Sequence, residues 1–211
     1  MVREQIAARG VEDPEVLRAM RAVPRHRFVD PALAHSAYGD HALPIGLEQT
    51  ISQPYMVGLM SSLLEVGSGS RVLEVGTGSG YQAAVLSRIV QVVFTIERVQ
   101  ALALRAQSLL ADLGYENVVF RIGDGTLGWR RFAPFDAIVV TAGAPAPPAT
   151  LFEQLRPGGV LVAPVGPRAE QRLLVLERRE DGTVLERRSV PCTFVPLIGR
   201  EGWDPTAIDR R

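Results

Sequence analysis

From residue 52 onward the apolar residues follow two alternating rhythms. Short, nearly continuous apolar runs at 71–75, 92–97, 117–122, 135–141 and 159–164 predict strands buried on both faces. Between them, residues 54–65, 82–89, 99–113 and 148–155 carry the wider spacing of helices that bury one side. Strand and helix in strict alternation imply a parallel sheet covered on both faces. The last third departs from this rule. Six residues, 165–170, separate the run ending at Pro164 from the run at 172–178. That is too short for a crossover helix, so the pair is predicted antiparallel. Asp181-Gly182 then reads as a hairpin turn into a final strand near 183–194.

The N-terminal quarter is less regular. Residues 2–9 and 14–23 predict two short helices, the second opened by Asp13-Pro14 and stopped by Pro24. This is the pattern of an N-cap followed by proline at the first helical position. Residues 24–53 hold Pro24, Pro31, Gly39, Pro44 and Gly46 without periodicity and predict an ordered loop region. An irregular stretch of that length inside a domain points to function. The expected architecture is α/β, a doubly wound and mostly parallel seven-stranded sheet with antiparallel C-terminal strands and an N-terminal helical extension. One domain, 1–211, is expected, with helices and an active-site loop in 1–53, a ligand-binding core in 54–166 and the antiparallel strands and tail in 167–211.

Composition narrows the chemistry. The charges balance at 23 basic and 23 acidic residues, which argues against a dedicated polyanion binder. All the basic residues are arginine, so a Schiff-base lysine and a phosphate-loop lysine are excluded. Cys192 is the only cysteine, and His26, His35 and His41 are scattered, so no internal disulfide and no metal site is expected. No leader-like N-terminal segment and no apolar run of about 18 residues is present, and a cytoplasmic location is expected. Arginine pairs at 130–131, 178–179, 187–188 and 210–211 read as solvated surface.

The strongest local signal is Val72-Leu73-Glu74-Val75-Gly76-Thr77-Gly78-Ser79-Gly80, a strand, a glycine turn and a helix start. Glycines permit positive φ and a close ligand approach, and the helix N-terminus presents free N–H groups. The spacing is GxGxG, not the GxGxxG of dinucleotide folds. Glu97 lies 21 residues beyond Gly76, where a carboxylate can accept hydrogen bonds from a ribose; the plainer reading is a favourable acid near the next helix start. Asp124, in Gly123-Asp124-Gly125, suits an adenine amino group, and alone would read as a turn aspartate. Glu74, Gly76, Gly78, Gly80, Glu97 and Asp124 all fall at carboxyl ends of predicted strands, where open α/β sheets bind ligands.

The glycine turn resembles motif I of class I S-adenosylmethionine methyltransferases. Asp40-His41-Ala42-Leu43-Pro44-Ile45-Gly46 and Gln49-Thr50-Ile51-Ser52-Gln53-Pro54-Tyr55-Met56 resemble the protein-L-isoaspartate O-methyltransferases more specifically. So do Pro134-Phe135-Asp136-Ala137-Ile138, Arg156-Pro157-Gly158-Gly159 with Pro164-Val165-Gly166, and Phe194-Val195-Pro196-Leu197. The resemblance implies a Rossmann-like protein-repair enzyme that methylates the free α-carboxylate of L-isoaspartyl residues in damaged proteins and peptides. It implies S-adenosyl-L-methionine as cofactor, S-adenosyl-L-homocysteine as product, and no metal. Matching positions imply Ser52 as the catalytic serine, with Ile51, Gln53, Pro54, Glu74, Gly76, Gly78, Gly80, Glu97, Asp124 and Gly125 toward the cofactor. Tyr55, Val195, Pro196 and Leu197 are implied on the substrate side. Two positions depart from the pattern. Glu48 stands where many bacterial relatives carry glycine, and Ile198 where some carry a polar residue. The expected partners are isoaspartyl polypeptides, with no nucleic acid, no membrane and a monomeric chain. The alternatives are a methyltransferase acting on a small molecule or RNA, and a non-catalytic adenosine-cofactor binding module.

Overall fold

The computed structural model describes residues 1–204; the arginine pair at 210–211 lies outside them. At its centre are β3 (Arg71–Val75) and β6 (Phe135–Val140), paired in parallel. From β3 the chain passes through α3 (Tyr81–Ser87) to β4 (Val92–Glu97). It continues through α4 (Gln100–Asp112) to β5 (Val118–Ile122) at one edge. It then returns to lay β6 on the other side of β3, and α5 (Ala149–Phe152) leads to β7 (Leu155–Val165). The sheet order is β5-β4-β3-β6-β7-β8-β9. Between β3 and β6 the direction of winding reverses, and a crevice opens outside the carboxyl ends of those two strands. The predicted antiparallel ending is present: β8 (Gln171–Arg178) pairs antiparallel with β7, and β9 (Val184–Cys192) with β8.

Alternation along the strands divides the core in two. Val72, Val93, Ala137 and Val139 face one side with the N-terminal segment, α1 (Pro14–Ala22), α2 (Pro54–Leu63) and α3. Leu73, Val75, Phe94, Ile138 and Val140 face the other side, beneath Trp129, Phe132 and Leu151. Phe94 stacks on Phe132 with ring centres 4.5 Å apart. Helix α1 follows from its sequence signals. The Asp13 carboxylate accepts hydrogen bonds from the Glu15 and Val16 N–H groups at 2.9 and 3.2 Å, Pro14 opens the helix, and Val16, Ala19 and Met20 point inward. The segment expected as a first helix is instead a π-helical turn, Val2–Ile6, and a 3-10 turn, Ala7–Arg9.

The irregular stretch at 24–53 contains more structure than its pattern suggested. Two 3-10 turns, Arg25–Phe28 and Pro31–Ser36, precede an antiparallel hairpin of β1 (Leu43–Gly46) and β2 (Gln49–Ile51). The hairpin tip is Leu47-Glu48, with φ of +53° and +58°. Two-residue tips with both φ values positive favour Asn and Gly. Neither stands here, so the turn carries no sequence signal. The same φ explains why glycine suits position 48. Glu48→Gly should raise stability by about 0.5–1 kcal/mol, because a non-glycine residue in this region is strained by about 1–2 kcal/mol and glycine's extra chain entropy offsets part of the gain. Urea denaturation of the two proteins checks this; an unchanged or lower midpoint counts against strain at the tip.

Candidate functional site

The crevice is a cavity whose floor is the glycine turn. Gly76, Thr77, Gly78 and Ser79 form that floor, and Glu97, Arg98 and Val99 stand at one end. Thr50, Ile51 and Ser52 from the hairpin form one wall; Val195, Pro196, Leu197 and Ile198 form another. Thr141, Ala142, Gly125 and, at the start of α3, Tyr81 and Gln82 also line it.

Two neighbouring strands hold the turn. From β6, the Thr141 hydroxyl lies 2.6 Å from the Gly76 carbonyl, to which it donates, and a Cβ at Gly76 would collide with it. From β4, one oxygen of the Glu97 carboxylate accepts the Gly78 N–H at 2.9 Å, and the other accepts the Val99 N–H at 2.9 Å. The three glycines are therefore required for different reasons. At Gly80, φ +87°, a Cβ would lie 2.6 Å from Leu110 of α4. At Gly78, φ +53°, a Cβ would meet nothing closer than Ile45 at 3.5 Å, so this is the glycine that leaves room over the backbone.

Glu74 lies beneath the turn and does not line the cavity. It is fully buried, its Oε2 accepts a hydrogen bond from the Thr95 hydroxyl at 2.5 Å, and Thr95 in turn contacts the Thr77 hydroxyl at 2.6 Å. Its Oε1 has no hydrogen-bond partner among the described residues. Burial pushes the Glu74 carboxyl up to about 8, with the nearby Glu97 charge acting in the same direction, so the group is mostly protonated at neutral pH.

Asp124 also stands outside the cavity lining. One of its oxygens accepts from the Thr126 N–H and hydroxyl, and the other from the Arg200 N–H at 2.8 Å. The geometry is that of a turn aspartate which also ties down the C-terminal segment. That segment crosses the carboxyl edge of the sheet. The Gly143 N–H donates to Val195 and the Leu197 N–H donates to Gly143, both at 2.8 Å, and Glu201 holds Thr150. The strap thereby presents residues 195–198 to the cavity.

Helix α2 begins at Pro54 with Gln53 at its N-cap and no side-chain cap bond. Ser52 is therefore not a cap, and its hydroxyl makes no hydrogen bond among the described residues. Ser52 and Thr50 also line a second cavity with Gln53, Met56 and residues 191–194. Cys192 belongs to that lining, and burial pushes its thiol up to about 11, which leaves it unreactive. Tyr55 is buried, with the Arg9 guanidinium 3.4 Å from its ring centre. The crevice thus gathers Ile51, Ser52, Gly76, Gly78, Glu97, Gly125, Val195, Pro196 and Leu197. Gln53 is set on the adjoining cavity, Asp124 lines an open groove that shares Arg98 and Ile198 with the crevice, and Pro54, Tyr55, Glu74 and Gly80 lie behind the walls. Thr141 escaped the sequence reading, although the rule that singled out Glu97, a polar residue at a strand's carboxyl end, applies to it equally. Among the described residues there is no cluster of three metal-ligating side chains, and no helix is long and apolar enough to cross a membrane.

Residues 1–202 match the family model for protein-L-isoaspartate(D-aspartate) O-methyltransferase. A protein-L-isoaspartate O-methyltransferase of Trichlorobacter lovleyi is 54% identical over 203 residues, covering 96% of this chain and 94% of the relative. One from Pelotomaculum thermopropionicum is 57% identical, covering 96% and 89%. A solved protein-L-isoaspartate O-methyltransferase superposes with a TM-score of 0.84 at 30% identity, over 96% of this chain and 67% of the other. A putative one from Plasmodium falciparum, in complex with S-adenosyl-L-homocysteine, superposes at 0.79 with 25% identity, over 93% and 96%.

Glu74 gives a pH signature. Its folded pKa, about 8, lies above the usual 4.5, so the folded protein holds a proton that the unfolded chain releases between those values. Stability from this group is then fully present below about pH 4.5 and declines as pH rises toward 8. Glu74→Gln, neutral throughout, should fold and should show a flatter stability profile across that window. Parallel profiles for the two proteins would mean that Glu74 titrates normally.

Proposed function

The chain belongs to the protein-L-isoaspartate(D-aspartate) O-methyltransferase family, and on that premise we propose how its residues carry out the family's reaction. The whole chain acts as a single methyltransferase domain. It transfers a methyl group from S-adenosyl-L-methionine to the free α-carboxylate of L-isoaspartyl residues in damaged proteins and peptides. The observation that carries this reading is the position of Ser52, in a wall shared by the glycine-floored cavity and the second cavity beside residues 191–194. A donor on one side and an acceptor on the other meet there.

The residues present fit the cofactor. Gly78 leaves the floor open, and Glu97 stands at the end of the cavity. A carboxylate has about four acceptor positions, of which the Gly78 and Val99 N–H groups take two, so capacity remains for ribose hydroxyls. Gly76, Gly125 and Ile51 lie against the same space, Glu74 supports the turn from below, and the strap encloses the side opposite the hairpin. When bound, S-adenosyl-L-methionine supplies a methyl group on a sulfonium, already a strong electrophile.

The chain's own work is then mainly orientation. An α-carboxylate, with an unperturbed pKa of about 3.5, needs no base to ionise it at neutral pH. The Ser52 hydroxyl, free of structural partners, is available to orient the acceptor oxygen. The backbone at Val195, Pro196 and Leu197 offers extended, strand-like recognition to a peptide, which reads the inserted methylene of an isoaspartyl link rather than any side chain. Bringing oxygen and methyl carbon into line in a site that excludes water supplies much of the rate. The enzyme works in the cytoplasm as a monomer, without metal, nucleic acid or membrane.

Paired peptides test the reading: an isoaspartyl peptide should accept base-labile methyl groups and its aspartyl counterpart should not. Equal incorporation into both would indicate a methyltransferase of other specificity. Ser52→Ala should keep its denaturation midpoint, since Gln53 holds the cap position, and lose roughly 10²-fold in single-turnover rate. A near wild-type rate would remove Ser52 from the catalytic group. Glu97→Ala should weaken S-adenosyl-L-homocysteine binding by about 1.5–3 kcal/mol in calorimetry, the value of hydrogen bonds to a charged group. Unchanged affinity would leave Glu97 with the turn alone.

A further inference from the structure

Arg25 lies at the start of the irregular 24–53 stretch, where nothing singled it out. Its side chain is 0% exposed, the bulkiest of the fully buried ones. It forms no ion pair among the described residues. Asp40, the carboxylate whose charge acts on it, is already paired with Arg9 at 2.6 Å. The guanidinium Nε donates to the Ala37 carbonyl at 2.7 Å and Nη2 donates to the Ser52 carbonyl at 2.7 Å. Its carbon lies 4.8 Å from the centre of the Tyr81 ring. Nη1 is buried and, among the described residues, within hydrogen-bonding geometry of no partner, and the Tyr81 side chain is the strongest side-chain influence on the guanidinium.

Such a group is unfavourable for stability alone. A buried charge is strongly destabilising unless it is paired and fully hydrogen-bonded, and a well-packed apolar side chain of similar volume is as good or better. Burial lowers the pKa, yet arginine stays protonated in proteins. The fold therefore keeps a cation with no direct ion pair among the described residues behind the Ser52 peptide. Both of its functional contacts belong to the main cavity: Ser52 lines it from the hairpin side, and Tyr81, the first residue of α3, lines it from the turn side. The Tyr81 hydroxyl provides no counter-charge, because burial pushes it up to about 12. The plainer role is a buried clamp joining the 3-10 segment, the loop at Ala37 and the hairpin. That role accounts for the two carbonyl bonds but not for leaving the charge unpaired.

We propose that Arg25 is a positioning residue for the methyl acceptor: it locks the Ser52 peptide against the start of α3, and its charge, held without an ion pair of its own, makes the space beside Ser52 favour an anionic acceptor over a neutral one. The inference rests on the acceptor being a carboxylate, as proposed above. A buried charge is little screened by salt, so the preference should persist at high ionic strength, unlike steering by surface arginines.

The test uses two peptides, one isoaspartyl and one identical except that its α-carboxylate is a carboxamide, with Arg25→Met and Arg25→Lys beside the wild type. For the wild type, the carboxylate peptide should bind at least about tenfold more tightly than the carboxamide peptide, in low and in high salt, consistent with a charged hydrogen-bonding environment. In Arg25→Met the kcat/KM for the isoaspartyl peptide should fall by at least about tenfold. Discrimination between the peptides should collapse, while S-adenosyl-L-homocysteine still binds. Arg25→Lys keeps the charge without the fork, so it should retain the discrimination and lose turnover. A folded Arg25→Met with wild-type kcat/KM overturns the proposal. So does an equal loss of affinity for both peptides, the mark of a purely structural clamp. If Arg25→Met does not fold, the wild-type peptide pair and Arg25→Lys still decide, and a wild-type ratio near one, or a Lys variant without discrimination, rejects the role of charge. A wild type that methylates no isoaspartyl peptide is a different result and fails the proposed function itself.

Discussion

The turn between β3 and α3 has to leave its N–H groups accessible while its backbone runs through conformations that few residues adopt. Left alone, a run of alternating glycines would be the least ordered part of the sheet edge. Here it is pinned from both sides, by Thr141 on the Gly76 carbonyl and by Glu97 on the Gly78 N–H. These two side chains come from β6 and β4, the strands that flank β3. Strand order thus determines the site, because only a sheet that reverses its winding beside β3 brings both residues to one turn. The buried Glu74–Thr95–Thr77 chain adds a third support from below.

Around this fixed floor the remaining walls come from irregular backbone, the hairpin on one side and the strap on the other. Each is held by polar contacts as well as by packing. Arg25 reaches the Ser52 carbonyl and Asp124 reaches the Arg200 N–H. A rigid floor with walls secured by a few hydrogen bonds suits chemistry whose main requirement is alignment.

The parallel strands and most helices were legible because strands buried on both faces and helices with one apolar side leave distinct patterns. The antiparallel ending was legible from the short 165–170 connection and the Asp181-Gly182 turn. The β1–β2 hairpin was not, because Leu47-Glu48 lacks the residues its backbone favours, and tertiary contacts hold a turn that local preference would refuse. Among candidate site residues, Glu97 and the glycines stood out because their spacing marks the turn that they build at the sheet's carboxyl edge. Asp124 and Glu74 fit the same positional rule but face the strap and the interior, a distinction that depends on side-chain direction and not on spacing. Arg25 was invisible for the opposite reason: an arginine in a polar, proline-rich stretch reads as solvent-exposed, and nothing local reveals that later residues close over it.

The strap also affects when the site comes into being. Its residues 195–198 lie far along the chain from the glycine turn and farther still from Arg25, so the cavity is assembled from contacts of long sequence separation. Such contacts form after local ones, because closing long loops costs chain entropy before any contact repays it. During synthesis the floor can be complete while one wall is still inside the ribosome. A growing chain that has already folded its central strands therefore lacks one wall of this cavity until residues 195–198 have emerged and crossed the sheet edge.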